Sequence, residues 1–181
     1  CARSIYPEII REFSPKGIRV FLDTSGPSLA ESLREGPFLV KPNLDELSQI
    51  CDKQLSVKNM QEIIECLQGF NQFPIEVIAV SLGANGSLIK KGNEILRAHA
   101  PKIVIKNTIG CGDAYLAGLV YGFQHKLDLD ETLIFATAIS SAAAANESSV
   151  GFDVDEVVRQ RKLVKIERVA VTNQISEHKI A

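Results

Sequence analysis

The sequence carries little net charge. Lysine and arginine number 20 against 22 acidic residues, a net charge of −2 with both signs interspersed, and no basic cluster interleaves with aromatic residues, so nucleic acid is not expected as a partner. A long apolar run is missing too. The longest, around residues 133–145, is broken by Thr137, Ser140 and Ser141 and is too short to span a bilayer; with no charged-then-apolar leader at its start, the chain is expected to be soluble, cytoplasmic and without a membrane partner. The four cysteines, Cys1, Cys51, Cys66 and Cys111, form no paired metal-ligand or redox spacing, and the simplest expectation is reduced thiols and no disulfide. Repeats and linkers are absent, and the alanine run at 142–145 reads as close helix–sheet packing rather than low complexity.

What is present is an ordinary globular composition. A hydrophobic fraction of 45% beside 23% charged residues over 181 positions supplies enough apolar side chain for one domain with a substantial core. The sequence starts at Cys1 rather than methionine, and "YPEIIREFSPKG" reads as the second half of an amphipathic helix running into a strand, so a fragment of a longer chain is expected. "IRVFLD" (18–23), "PFLVK" (37–41) and "IEVIAVSLG" (75–83) are short runs rich in branched and aromatic residues beside turn signals, hence buried strands. Between them, "PSLAESLREG" (27–36), the segment capped by Asn43 and residues 57–70 carry helical spacing. This alternation predicts an α/β three-layer sandwich, a mostly parallel sheet covered by helices on both faces. Strand-like runs flanking Lys91, Gly92 and Asn93 predict an antiparallel hairpin at an edge. Three helices follow, about 112–125, 130–146 and 153–164; the second is apolar on most faces, and the third opens with Asp153 and Glu156 in a capping-box pattern.

In such a sheet, ligands gather beyond the carboxyl ends of the strands, where loops and helix N-termini converge. "DTSG" (23–26), "KPN" (41–43) and "SLGANG" (81–86) are polar loops after predicted strands and would share one rim. "IGCGD" (109–113) feeds a helix, whose first N–H groups lack intrahelical partners and carry the positive end of the dipole. Glycine there lets the backbone turn sharply and approach a phosphate directly. Asp113 would repel that phosphate, but beside it a carboxylate can take the proton of an attacking hydroxyl. The plain alternative is a turn followed by an early-turn acid favoured by the dipole by roughly 0.3–1 kcal/mol.

"NTIGCGDAYLAGLVYGF" (107–123) resembles the second signature of the ribokinase-like, or PfkB-type, carbohydrate kinases, Asn-Thr-x-Gly-Ala-Gly-Asp followed by a helix. "DTSG", "FLVKPNLDEL" and "SLGANGSL" are similar, in the same order, to the branch containing 1-phosphofructokinases and tagatose-6-phosphate kinases. The resemblance implies an incomplete ribokinase-like fold in which residues 1–181 are the carboxy-terminal nucleotide-binding and catalytic portion. The glycine-rich first signature, most sugar contacts and the lid strands of the amino-terminal half have no counterpart in the chain. It implies ATP-dependent phosphoryl transfer to a primary hydroxyl of a ketohexose phosphate, fructose-1-phosphate or tagatose-6-phosphate, with Asp113 as base and the backbone of Gly110, Cys111 and Gly112 as anion hole. Asn43 and Glu46 match an Asn-x-x-Glu motif supporting Mg²⁺ largely through water; the bland reading is an N-cap and a solvated acid. Lys41 would meet nucleotide phosphates, Ser81, Gly83 and Gly86 would form the nucleotide loop, and Thr137 and Asn146 would edge the adenine pocket, where packing is the alternative. A homodimer of the full-length parent is also compatible with the resemblance. Cys111 stands where alanine or serine is usual, and a thiol at a helix N-terminus is a candidate for a lowered pKa. Ala114 stands where serine or threonine is frequent. His99, His125 and His178 match no motif. The rival reading is a non-catalytic nucleotide-binding fragment or assembly module without turnover.

Overall fold

Short runs of branched residues form the strands where the hydrophobic pattern places them, but the ladders are brief. The computed structural model describes residues 5–169; Cys1 and His178 lie outside them. In chain order the elements are α1 (Ile5–Phe13), β1 (Phe21–Leu22), α2 (Gly26–Ser32), β2 (Leu39–Val40), α3 (Leu44–Ile50), α4 (Met60–Gly69), β3 (Val77–Ser81), β4 (Ser87–Lys91), β5 (Glu94–His99), α5 (Cys111–Gln124), α6 (Leu129–Ala144), α7 (Val154–Arg161) and β6 (Lys165–Arg168). The strands follow one another in chain order in a mixed sheet. The described residues form two compact units. One runs to Leu82 and includes Ile89–Ile95; the other comprises Gly83–Leu88 and Leu96–Val169.

In the first unit β1, β2 and β3 are parallel, with Leu22 beside Val40 and Leu39 beside Val77. Leu39, Val40, Val77, Ile78, Ala79 and Val80 are all buried. Successive strand side chains point to opposite faces, so burial at every position means that both faces of these strands are covered, as parallel strands require. Ile10, Leu29, Leu33, Leu47, Ile63, Leu67 and Phe70 complete this core. Cys51 and Cys66 are joined as a disulfide with Cα atoms 6.1 Å apart, which corrects the expectation of free thiols. Spacing along the chain gave no sign of it because the pairing depends on the end of α3 meeting the buried side of α4, and that separation suits a bridge.

In the second unit α5 and α6 pack closely against one another, and α7 packs on α6. Asp128 caps α6 by accepting from the Glu131 N–H at 2.7 Å. Asp153 caps α7, but it accepts from the Asp155 N–H, and the Glu156 carboxylate is engaged by Arg159 and Gln160. The expected capping box is therefore replaced by a simple cap. β6 pairs antiparallel with β5, Leu96 opposite Arg168, adding an edge strand to the antiparallel side that the hairpin pattern predicts.

Candidate active site

Register creates the polar rim of the first unit. Because Leu22 and Val40 are aligned neighbours, Asp23 and Lys41 leave the sheet side by side, and Lys41 Nζ lies 2.9 Å from Asp23 Oδ2. Lys41 is 5% exposed, so its ammonium is a held charge rather than a solvated one. An ammonium has three donors, and the contact with Asp23 leaves capacity for an anion. At the start of α3, Asn43 Oδ1 accepts from the Glu46 N–H at 2.9 Å while Glu46 Oε2 accepts from the Asn43 N–H at 2.8 Å, a reciprocal capping box. The Ser81 N–H donates to the Pro42 carbonyl at 3.2 Å, and Ser81 bridges Asn43. Lys41, Asn43, Glu46 and Ser81 are thus brought together at the carboxyl ends of β2 and β3, with Asp23, the first residue of the "DTSG" loop, held against Lys41.

Among the described residues no group of His, Cys, Asp and Glu side chains converges on a metal position. The donor set that Asn43 and Glu46 present instead is one carboxylate and one amide, and the Glu46 carboxylate commits only Oε2 to the cap. That fits Mg²⁺, which keeps most of its waters and takes few protein ligands.

In the second unit Gly83 is exposed and Gly86 is buried. Gly86 has φ +90°, and a Cβ there would lie 1.9 Å from the Ala98 carbonyl oxygen; the turn closes directly on the backbone of β5, which no side chain permits.

The segment entering α5 is tied to the end of α6. The N–H groups of Lys106 and Asn107 both reach the Ala144 carbonyl, at 2.8 and 3.3 Å. Asn107 Oδ1 accepts from the Ile109 N–H at 2.9 Å, and Asn107 Nδ2 donates to the Glu147 carbonyl at 3.2 Å. Gly110 then caps the helix at φ +81°, and a Cβ on it would fall 2.6 Å from the Ser149 carbonyl oxygen. Cys111 donates its N–H to Thr108 O at a long 3.4 Å. The N–H groups of Gly112 and Asp113 and the Asp113 carboxylate have no hydrogen-bond partner among the described residues.

Three ionisable side chains sit in or beside this first turn, and their surroundings separate them. Burial pushes the Cys111 thiol up, opposite to the lowering considered for a helix tip, and its Sγ donates to the Asn107 carbonyl at 3.6 Å. Burial likewise pushes the Tyr115 phenol up, well beyond its ordinary range. Asp113 alone is exposed, and it shares its turn with open amides. The arrangement can hold an anion on the backbone and take a proton on the neighbouring carboxylate.

Thr137 is buried, with Oγ1 3.0 Å from Ser87 Oγ. Asn146 follows α6 and is half-buried; its Nδ2 donates to the Gly151 carbonyl and its Oδ1 accepts from the Ser148 N–H, both at 3.3 Å. Both side chains therefore hold local structure. His99 lies 3.1 Å from Glu167 on β6, and His125 stacks on Tyr121 with ring centroids 4.1 Å apart. No helix among the described residues is long and apolar enough to cross a membrane.

Residues 7–154 match the family described as pfkB family carbohydrate kinase. The chain is 34% identical over 174 residues to a 1-phosphofructokinase of Haemophilus influenzae, covering 91% of this chain and 55% of that protein. It is 32% identical over 169 residues to a tagatose-6-phosphate kinase of Staphylococcus epidermidis, covering 89% and 53%. Among solved structures, the phosphofructokinase-2 of Escherichia coli superposes with a TM-score of 0.81 at 26% identity, over 87% of this chain and 51% of that one. The chain spans about half the length of the curated relatives it matches. A glycine-capped helix tip with an exposed aspartate, a family match over most of the sequence and a shared α/β fold agree: the chain belongs to the pfkB family of carbohydrate kinases.

Proposed function

We propose that the chain is the carboxy-terminal, nucleotide-binding and catalytic portion of an ATP-dependent kinase that phosphorylates a primary hydroxyl of a ketohexose phosphate, fructose-1-phosphate or tagatose-6-phosphate. The observation that carries this reading is the exposed Asp113 carboxylate, without a partner among the described residues, in the same turn as the open amides of α5. The sugar oxygen forms a bond to the γ-phosphorus as the bond from that phosphorus to the β–γ bridging oxygen breaks. ADP leaves with the bond pair, and the hydroxyl proton passes to Asp113. Charge on the transferring group falls on the N–H groups of the 110–113 helix tip, supported by the dipole. Positioning and electrostatics dominate such transfers.

Lys41, held by Asp23, would supply a fixed positive charge to the nucleotide phosphates, and Ser81, Gly83 and Gly86 would let the loop lie against them. Thr137 and Asn146 would border the base chiefly by shaping the wall behind it. Mg²⁺, when bound, would offset phosphate charge, with Asn43 and Glu46 holding its waters. A second reading, nucleotide binding without turnover, rests on the chain spanning about half the length of its relatives. A coupled ADP-release assay on the full-length encoded polypeptide, with fructose-1-phosphate, tagatose-6-phosphate and ribose as acceptors, separates these readings. Turnover of either sugar phosphate supports the proposal, turnover of ribose alone contradicts the substrate class, and no turnover favours the second reading.

Two substitutions probe the rim. Glu46→Gln keeps a capping-box residue, since glutamine also serves at N3, but removes the charge. The melting temperature is expected to hold while the Mg²⁺ concentration for half-maximal rate rises; an unchanged Mg²⁺ dependence would make the motif a cap only. Lys41→Met is expected to raise the KM for ATP by about tenfold, the order of one charge-assisted hydrogen bond; an unchanged KM in steady-state kinetics would leave Lys41 as a partner of Asp23 alone.

A further inference from the structure

Helix-interior serines in this molecule mostly bond their own helix. Ser32 donates to Ser28 O, Ser48 to Leu44 O and Ser141 to Thr137 O, each four residues back, the ordinary alternative for a hydroxyl without an outside partner. Ser140, half-buried on α6, does otherwise: its Oγ donates across to the Cys111 carbonyl at 3.1 Å. The bond stands at the end of a row spaced four residues apart. Thr132 fills the space over Gly122, Ala136 that over Gly118, where added Cβ atoms would each come within 2.6 Å of the α6 residue, and Ser140 closes the row against the first turn of α5.

The carbonyl of Cys111 and the N–H of Gly112 belong to one planar trans peptide group, so fixing the direction of one fixes the direction of the other, pointing the opposite way. Donation to the carbonyl also polarises the peptide and strengthens its N–H as a donor. We infer that Ser140 is a positioning residue: through the Cys111–Gly112 peptide it aims and strengthens the Gly112 N–H as a donor to the transferring phosphoryl group. This rests on the anion-hole reading above but assigns a role to a side chain that acts through the helix-tip peptide.

The test compares Ser140→Ala, Ser140→Thr and Ser141→Ala in the full-length polypeptide, by steady-state kinetics and by the NMR shift and hydrogen-exchange rate of the Gly112 amide. Ser140→Ala is expected to lower kcat roughly two- to tenfold, the weight of one neutral hydrogen bond, leave the KM for ATP unchanged, and shift the Gly112 amide with faster exchange. Ser140→Thr, which keeps the hydroxyl, restores both readouts, and Ser141→Ala alters neither. An unmoved Gly112 amide in a folded Ser140→Ala overturns the assignment whatever the rate. A moved amide with an unchanged kcat overturns it as well, because the bond then aims nothing that the reaction uses. If Ser140→Ala does not fold, Ser140→Cys, similar in size with a weaker donor, is read by the same criteria. Absence of turnover in the unaltered protein overturns the kinase reading and with it the role toward the phosphoryl group, while the amide comparison still decides whether Ser140 orients the Gly112 N–H.

Discussion

Asp113→Asn is expected to lower kcat by about 10²–10⁴-fold, the usual weight of a positioned general base, while ATP binding measured by calorimetry is kept or tightened. The substitution is nearly isosteric, and the carboxylate it removes has no hydrogen bond or ion pair among the described residues, so no fold contact is lost with it. The neighbouring ionisable groups give no substitute. Burial holds both the Cys111 thiol and the Tyr115 phenol protonated, so neither can take over the proton. Nucleotide affinity does not fall, because the amides of the helix tip are intact and the removed charge repels a neighbouring anion. A loss of affinity equal to the loss of rate would instead mark Asp113 as a binding residue.

Gly110→Ala is expected to be nearly as damaging, for a backbone reason. At φ +81° an alanine is strained by about 1–3 kcal/mol. Its Cβ would also sit 2.6 Å from the Ser149 carbonyl oxygen, and backbone cannot swing aside as a flexible side chain would. Relief must come from rotating the cap or moving residues 148–150, and either reorients the amides that follow. Misplacing one such donor costs on the order of 10²–10³ in kcat. Thermal melts and steady-state kinetics together should show both the destabilisation and a kcat loss larger than any change in the KM for ATP. A variant with the expected lower melting temperature but an undiminished kcat would separate the helix cap from catalysis.

The contrast between these sites and the rest of the molecule shows what a sequence can carry. The helix tip was legible because Asn107, Gly110 and Asp113 lie within a few residues of one another, and local geometry is written in local sequence. The pairing of Asp23 with Lys41 was not, since it follows from the parallel register of β1 on β2, although opposite charges just beyond two strands destined to be neighbours were a usable hint. β6 escaped notice because "KIER" offers one half-buried isoleucine among exposed charges, no pattern of a covered strand. The Cys51–Cys66 bridge and the reach of Ser140 to Cys111 depend on which helices meet. Asp153 and Glu156 have the spacing of a capping box, but Arg159 and Gln160 outcompete the backbone for the glutamate. The alternation of strands and helices, by contrast, was readable from β1 through α7, because burial on both faces leaves continuous apolar runs.

The most direct measurement is a crystal structure of the full-length polypeptide with ADP, aluminium fluoride and the sugar phosphate that supports turnover. The account predicts the planar fluoride group on the N–H groups of the α5 tip and the acceptor hydroxyl on the Asp113 carboxylate. A fluoride group seated away from residues 110–113, or an acceptor hydroxyl out of reach of Asp113, would contradict it.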